Sequence, residues 1–73
     1  MNEFGQYIKQ SRETKLIDGK KVSLRLLSRN LNIEPSYLSK IERGVFAPPS
    51  EELINKIAIE LELDNDVLLA LAG

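Results

Sequence analysis

Residues 24–41 read LRLLSRNLNIEPSYLSKI. Wound as helix, sharp turn, helix, this stretch turns Leu27, Leu31, Ile33, Leu38 and Ile41 inward at the spacings two short crossed helices need. Ser28 puts a small side chain where those helices come closest. The connection falls at Asn32, a residue type that enters the left-handed backbone region with little strain. Pro35 opens the second helix, where its fixed φ fits and its missing N–H costs nothing. The pattern is a helix-turn-helix motif, and no other signal in the chain is as specific.

With its flanks, VSLRLLSRNLNIEPSYLSKIERG (residues 22–44) resembles the helix-turn-helix domains of Cro-type and lambda-repressor-like transcriptional regulators, the xenobiotic-response-element family. The later PPSEELINKIAIELELDNDVLLALAG (residues 48–73) resembles the two helices that close that fold. The likeness covers nearly the whole chain apart from the segment around Leu16 to Lys21. It implies an all-α, compact five-helix lambda-repressor-like DNA-binding domain over residues 1–73, with helices at about 2–15, 23–31, 35–43, 50–62 and 65–72. Two positions depart from the family. Asn32 stands where Gly is usual, and Leu24 stands where a Gln often helps hold the DNA backbone, which Leu cannot do.

Seventy-three residues make a small core, near the lower limit for folding unaided. With neither cysteine nor histidine, disulfides, thiolate chemistry and the common zinc frameworks are absent, and no metal or cofactor is expected. No long apolar run or basic-then-apolar leader is present, which reads as a cytoplasmic protein with no membrane partner. The net charge of −1 argues mildly against a nucleic-acid partner. Its distribution answers that objection. Residues 1–44 carry nine Lys/Arg against five Asp/Glu, whereas residues 45–73 carry Lys56 against six acids. Clustering, more than the total, sets the field at a phosphate surface.

Asn2 is placed to cap the first helix, with Phe4, Ile8 and Ser11 along one side. Gly5 costs that helix roughly 1 kcal/mol relative to alanine. The resemblance implies a structural ion pair between Arg12 and Glu42, bracing helix 1 against helix 3. Between helices 1 and 2, LIDGKKV (residues 16–22) is long for a link in a helical bundle, and Asp18-Gly19 marks a tight turn or small hairpin. Lys20 and Lys21 then read as solvated turn charges, or as contacts to phosphates beside the main site.

Helix 2, capped by Ser23, has Leu24, Leu27, Ser28 and Leu31 on one side and Leu26 on the other. Helix 3 carries the functional reading. Leu38 and Ile41 define its inner side, which leaves Ser36, Ser39, Lys40 and Arg43 outward within about one quadrant. A short helix with such a face fits the major groove, about 12 Å wide, where base edges present a distinguishable donor and acceptor pattern. Ser36, Ser39 and Lys40 are the expected base readers. Ser23, Arg25, Tyr37 and Arg43 are the expected phosphate contacts. Glu34 is a poor helix cap whose charge opposes a nearby phosphate. After Arg43-Gly44, VFAPP (residues 45–49) runs extended, with Phe46 expected to plug the core.

Ser50 and Asp64 cap the last two helices. Leu53, Ile54, Ile57, Ala58 and Leu61 form the buried stripe of the fourth, with Ile59 outside it. The fifth is apolar all round after Asp66, and five helices of this size are not expected to enclose it. Val67, Leu68 and Leu71 are therefore assigned to contact with a second copy of the chain, the alternative being a natural chain that continues past Gly73. Regulators that this chain resembles commonly dimerise around that region.

These readings converge on a sequence-specific regulator of transcription, a repressor in the first instance, bound as a homodimer to double-stranded DNA at a near-palindromic operator. The second reading is a protein-interaction module on the same fold, such as an antitoxin or a regulator acting through a protein partner, favoured by Leu26, Ile59, the apolar fifth helix and the acidic C-terminal half. An enzyme is not expected: no nucleophile elbow, phosphate-cradling glycine loop or metal motif accompanies the Ser, Asp and Glu residues.

Overall fold

A computed structural model describes residues 3–73. The helix α1 spans Glu3–Thr14, α2 Leu24–Leu31, α3 Pro35–Glu42, α4 Glu51–Leu61 and α5 Asn65–Ala72. Each lies where the sequence pattern placed a helix, within the one or two residues by which helix ends fray. The capping role expected of Asn2 lies outside the described residues.

The link between α1 and α2 folds as a two-stranded antiparallel hairpin, β1 (Leu16–Ile17) and β2 (Lys20–Lys21), with Leu16 opposite Lys21 and Ile17 opposite Lys20. Asp18 and Gly19 both take positive φ, 54° and 78°. Two consecutive left-handed residues make the turn whose twist matches that of the flanking strands, and Asp-Gly is a dipeptide that makes it cheaply.

One hydrophobic core joins all five helices: Phe4 and Ile8 from α1, Leu27 and Leu31 from α2, Leu38 and Ile41 from α3, Ile54, Ile57, Ala58 and Leu61 from α4, and Leu68 from α5. Val22, just before α2, completes it. Ile33 and Leu53, both expected inside, are half-buried at its margin. Ser28 is buried, and its hydroxyl is satisfied by donating to the Arg25 carbonyl at 2.9 Å.

The caps are those the sequence marks. Ser23, Ser50 and Asp64 accept hydrogen bonds from the backbone N–H groups of Leu26, Leu53 and Asp66. Asn32 closes α2 in the left-handed conformation (φ 59°, ψ 43°), with the N–H of Ile33 returning to the Ser28 carbonyl at 3.0 Å. Glu34 opens α3 without a side-chain cap.

A second left-handed cap was not foreseen. Glu62 ends α4 at φ 55°, with the N–H of Leu63 donating to the Ala58 carbonyl at 2.8 Å. The Lys15 ammonium donates to the Glu62 carbonyl and ties the end of α1 to this turn. Glutamate pays a steric penalty there that glycine does not. Glu62→Gly is expected to stabilise the domain by about 0.5–1 kcal/mol after the added freedom of the unfolded chain is deducted. Chemical denaturation checks it, and a loss of stability would show the cap to be unstrained.

Two expectations need correcting. Phe46 does not plug the core: it is 44% exposed and packs on the outside of α3. The loop after Gly44 folds back onto the last turns of α3, so the ring arrives on the solvent side of that helix. Leu68 is no dimer contact: its exposure is 0%, because α5 lies across both α1 and α4 and buries that side within its own chain. Five helices do enclose one side of α5.

Candidate nucleic-acid interface

The α3 helix presents its working side because its other side is held fast. Leu38 and Ile41 point into the core with 0% and 1% exposure. Behind them, Glu42 is held by Arg12 through two hydrogen bonds of 2.9 Å, from the guanidinium Nε and Nη2 to the two carboxylate oxygens. This fork-to-fork geometry fixes both distance and angle. The ion pair expected from the resemblance is present, with side chains only 11% and 4% exposed. Arg12 also donates to the Val22 carbonyl at 3.3 Å, so one guanidinium joins α1, the approach to α2 and the end of α3. The Glu42 hydrogen bond raises the Arg12 pKa against the opposing effect of burial, which keeps the cation charged at any neutral pH.

Ser36, Ser39, Lys40 and Arg43 share the outward side. Ser36 is exposed near the start of α3. Ser39 and Arg43 act together one turn on, the Arg43 Nε donating to the Ser39 hydroxyl oxygen at 3.3 Å. Lys40 is half-buried, its ammonium lying 5.4 Å from the centre of the Phe46 ring. On the flank, Tyr37 meets the same ring at a centroid distance of 5.8 Å and an interplanar angle of 46°. Tyr37 also packs against the core, so its body is structural while its outer part borders the site.

The phosphate contacts expected on α2 stand on a separate element. Ser23 and Arg25 are both exposed at its N-terminal end. The Ser23 oxygen is engaged by the Leu26 N–H, but its hydroxyl proton is left to donate outward. The hairpin adds Lys20 and Lys21, both exposed, and Lys21 borders a surface recess with Ser23 and Arg12. On α5, Val67 is exposed and Leu71 is half-buried, and Leu71 borders a recess that Gly44 and Phe46 also line.

Phe46 is the residue that sequence reasoning placed wrongly and that the site contains. The cap at Gly44 was legible in the sequence, but the path of the chain beyond it was not: Gly44 takes φ 77°, and the N–H groups of Val45 and Phe46 then donate back to the Lys40 carbonyl.

With this geometry the model of the helix-turn-helix family matches residues 8–68. The chain belongs to the helix-turn-helix family of Cro/C1 type. Two uncharacterised HTH-type transcriptional regulators, from two strains of Mycobacterium tuberculosis, are each 35% identical over 69 residues. These cover 94% of this chain and 45% of the relative, so the chain spans less than half the length of the curated relatives it matches. Among solved structures, SinR, described as the master regulator for biofilm formation, in complex with DNA superposes with a TM-score of 0.75 at 35% identity over 90% of this chain and 97% of that one. The N-terminal DNA-binding domain of SinR from Bacillus subtilis gives a TM-score of 0.76 at 33% identity, over 94% and 93%. The five-helix arrangement is thus that of the family's DNA-binding domains. Among the described residues, no helix is long and apolar enough to cross a membrane.

Proposed function

We propose that residues 1–73 form a domain that binds double-stranded DNA in a sequence-specific manner and regulates transcription, acting as a repressor. The observation that carries this is the outward strip of Ser36, Ser39, Lys40 and Arg43 on a helix whose opposite side is locked by Leu38, Ile41 and the Arg12–Glu42 pair. A rigid polar strip on a short helix is what major-groove reading requires. The likeness to SinR, one structure of which is a complex with DNA, supports it.

Lys40 and Ser36 then meet base edges, with Ser39 beside them held by Arg43. Arg43, Ser23, Arg25 and Tyr37 meet phosphates. Two copies joined through Val67 and Leu71 set their α3 helices in successive major grooves about 34 Å apart, so the operator is a near-palindrome. The test is selection of sites from random duplexes, followed by titration of the best site at several salt concentrations. Lys40→Ala is expected to cost about 1–3 kcal/mol on the best site and relax preference at one base pair. Arg43→Ala is expected to weaken all duplexes alike and lower the salt slope by about one unit. Loss of neither property would remove α3 from the interface.

A second reading is favoured by exposed apolar side chains away from that strip, chiefly Ile59 at 67% exposure and Leu26. On that reading the domain binds a protein partner. It prevails if changing Leu26 or Ile59 abolishes partner capture while the two α3 variants leave DNA retention untouched.

A further inference from the structure

We infer that Phe46 is a positioning residue for Lys40, and that the ring sets how sharply the domain discriminates at the base pair Lys40 reads. The inference rests on the DNA-binding reading above and deepens it. The Lys40 ammonium lies 5.4 Å from the Phe46 ring centre, within the range of about 6 Å over which a cation is attracted to an aromatic face. Two features hold the ring. The N–H groups of Val45 and Phe46 both donate to the Lys40 carbonyl, at 2.9 and 3.3 Å, so the loop is pinned to the residue whose side chain it receives. Tyr37 packs on the ring at 5.8 Å, and Tyr37 is itself anchored against the core.

Lysine is a flexible point charge, and a free one reads bases poorly because many rotamers reach many acceptors. Here its cation is gathered onto a fixed platform beside the outward strip before any duplex arrives. The ordering is done in the free protein, so the contact with a matching base loses less to it on binding. Phe46 touches no base in this account. It acts through Lys40.

Three measurements test this. In the free protein, the Lys40 side-chain methylene protons next to the ammonium are expected to be shifted upfield by the ring current, and Phe46→Leu to abolish that shift. In binding, the site selected by the unaltered domain and its single-base variants serve as probes, the relevant base pair being the one whose preference Lys40→Ala erases. Phe46→Leu is expected to reduce that preference by about 2- to 5-fold, the range a partly exposed cation–ring contact supports. Affinity for unrelated duplexes and the salt slope stay unchanged. Phe46→Trp is expected to restore the preference, and Phe46→Leu to add nothing in the Lys40→Ala background. Absence of the upfield shift overturns the inference whatever the domain binds. So does full discrimination by Phe46→Leu, an equal effect of that change without Lys40, or uniform weakening on all duplexes with a change in self-association. If the unaltered domain selects no site while the upfield shift is present, it is the DNA-binding reading that fails, and the role in discrimination falls with it.

Discussion

Replacing Arg12 with alanine is expected to destabilise the domain by about 3–5 kcal/mol, the usual cost of leaving one member of a buried ion pair without the other. Glu42 is 4% exposed and takes two hydrogen bonds from the arginine, both of which are lost with the guanidinium. A core of this size supports only a few kcal/mol in total, and the single change removes much of that. Removing both charges is a different matter. Arg12→Met with Glu42→Met is expected to recover most of the loss, because the pair's attraction is largely offset by the cost of burying it. Urea denaturation of the three proteins measures the difference. A midpoint unchanged in Arg12→Ala would mean the pair is solvated and braces nothing. No titration of Arg12 enters this result near neutrality. Its pKa is raised in the folded protein, so its contribution is complete below the ordinary arginine pKa and lost only as pH rises beyond it.

The second large effect separates the core from the surface of α5. Leu68→Ala is expected to cost about 2–5 kcal/mol, from lost burial and the cavity left between α5 and the helices beneath it. That loss is independent of protein concentration, because Leu68 is covered by its own chain. Replacing Val67, which is 41% exposed, with serine is expected to change monomer stability little and to weaken self-association instead. Thermal melts across a hundredfold range of concentration distinguish the two. A concentration-dependent melting temperature shift in Leu68→Ala, with none in Val67→Ser, would reverse the assignment.

These two residues show where sequence reading stops. Arg12 and Glu42 were paired through likeness to a family. Leu68 was misplaced because VLLALA carries no polar face to say which way the helix is turned. Periodicity orients a helix only when its sides differ. Phe46 failed for a related reason. A large aromatic in a loop is ordinarily read as a plug, and nothing local reveals that the chain has doubled back outside α3. Asp18-Gly19 was legible as a tight turn or a small hairpin, and it is the hairpin that forms.

By itself, the sequence determined the five helices, the caps at Ser23, Ser50 and Asp64, the left-handed turn at Asn32, and which side of α3 faces outward. These are decided within a few residues along the chain, by periodicity, capping chemistry and tolerance of positive φ. Tertiary structure alone decided that Leu68 is buried, that Glu62 takes a strained cap, and that Lys40 rests on Phe46. Those outcomes depend on how whole helices and loops are stacked. The energies that settle them belong to contacts no stretch of sequence contains.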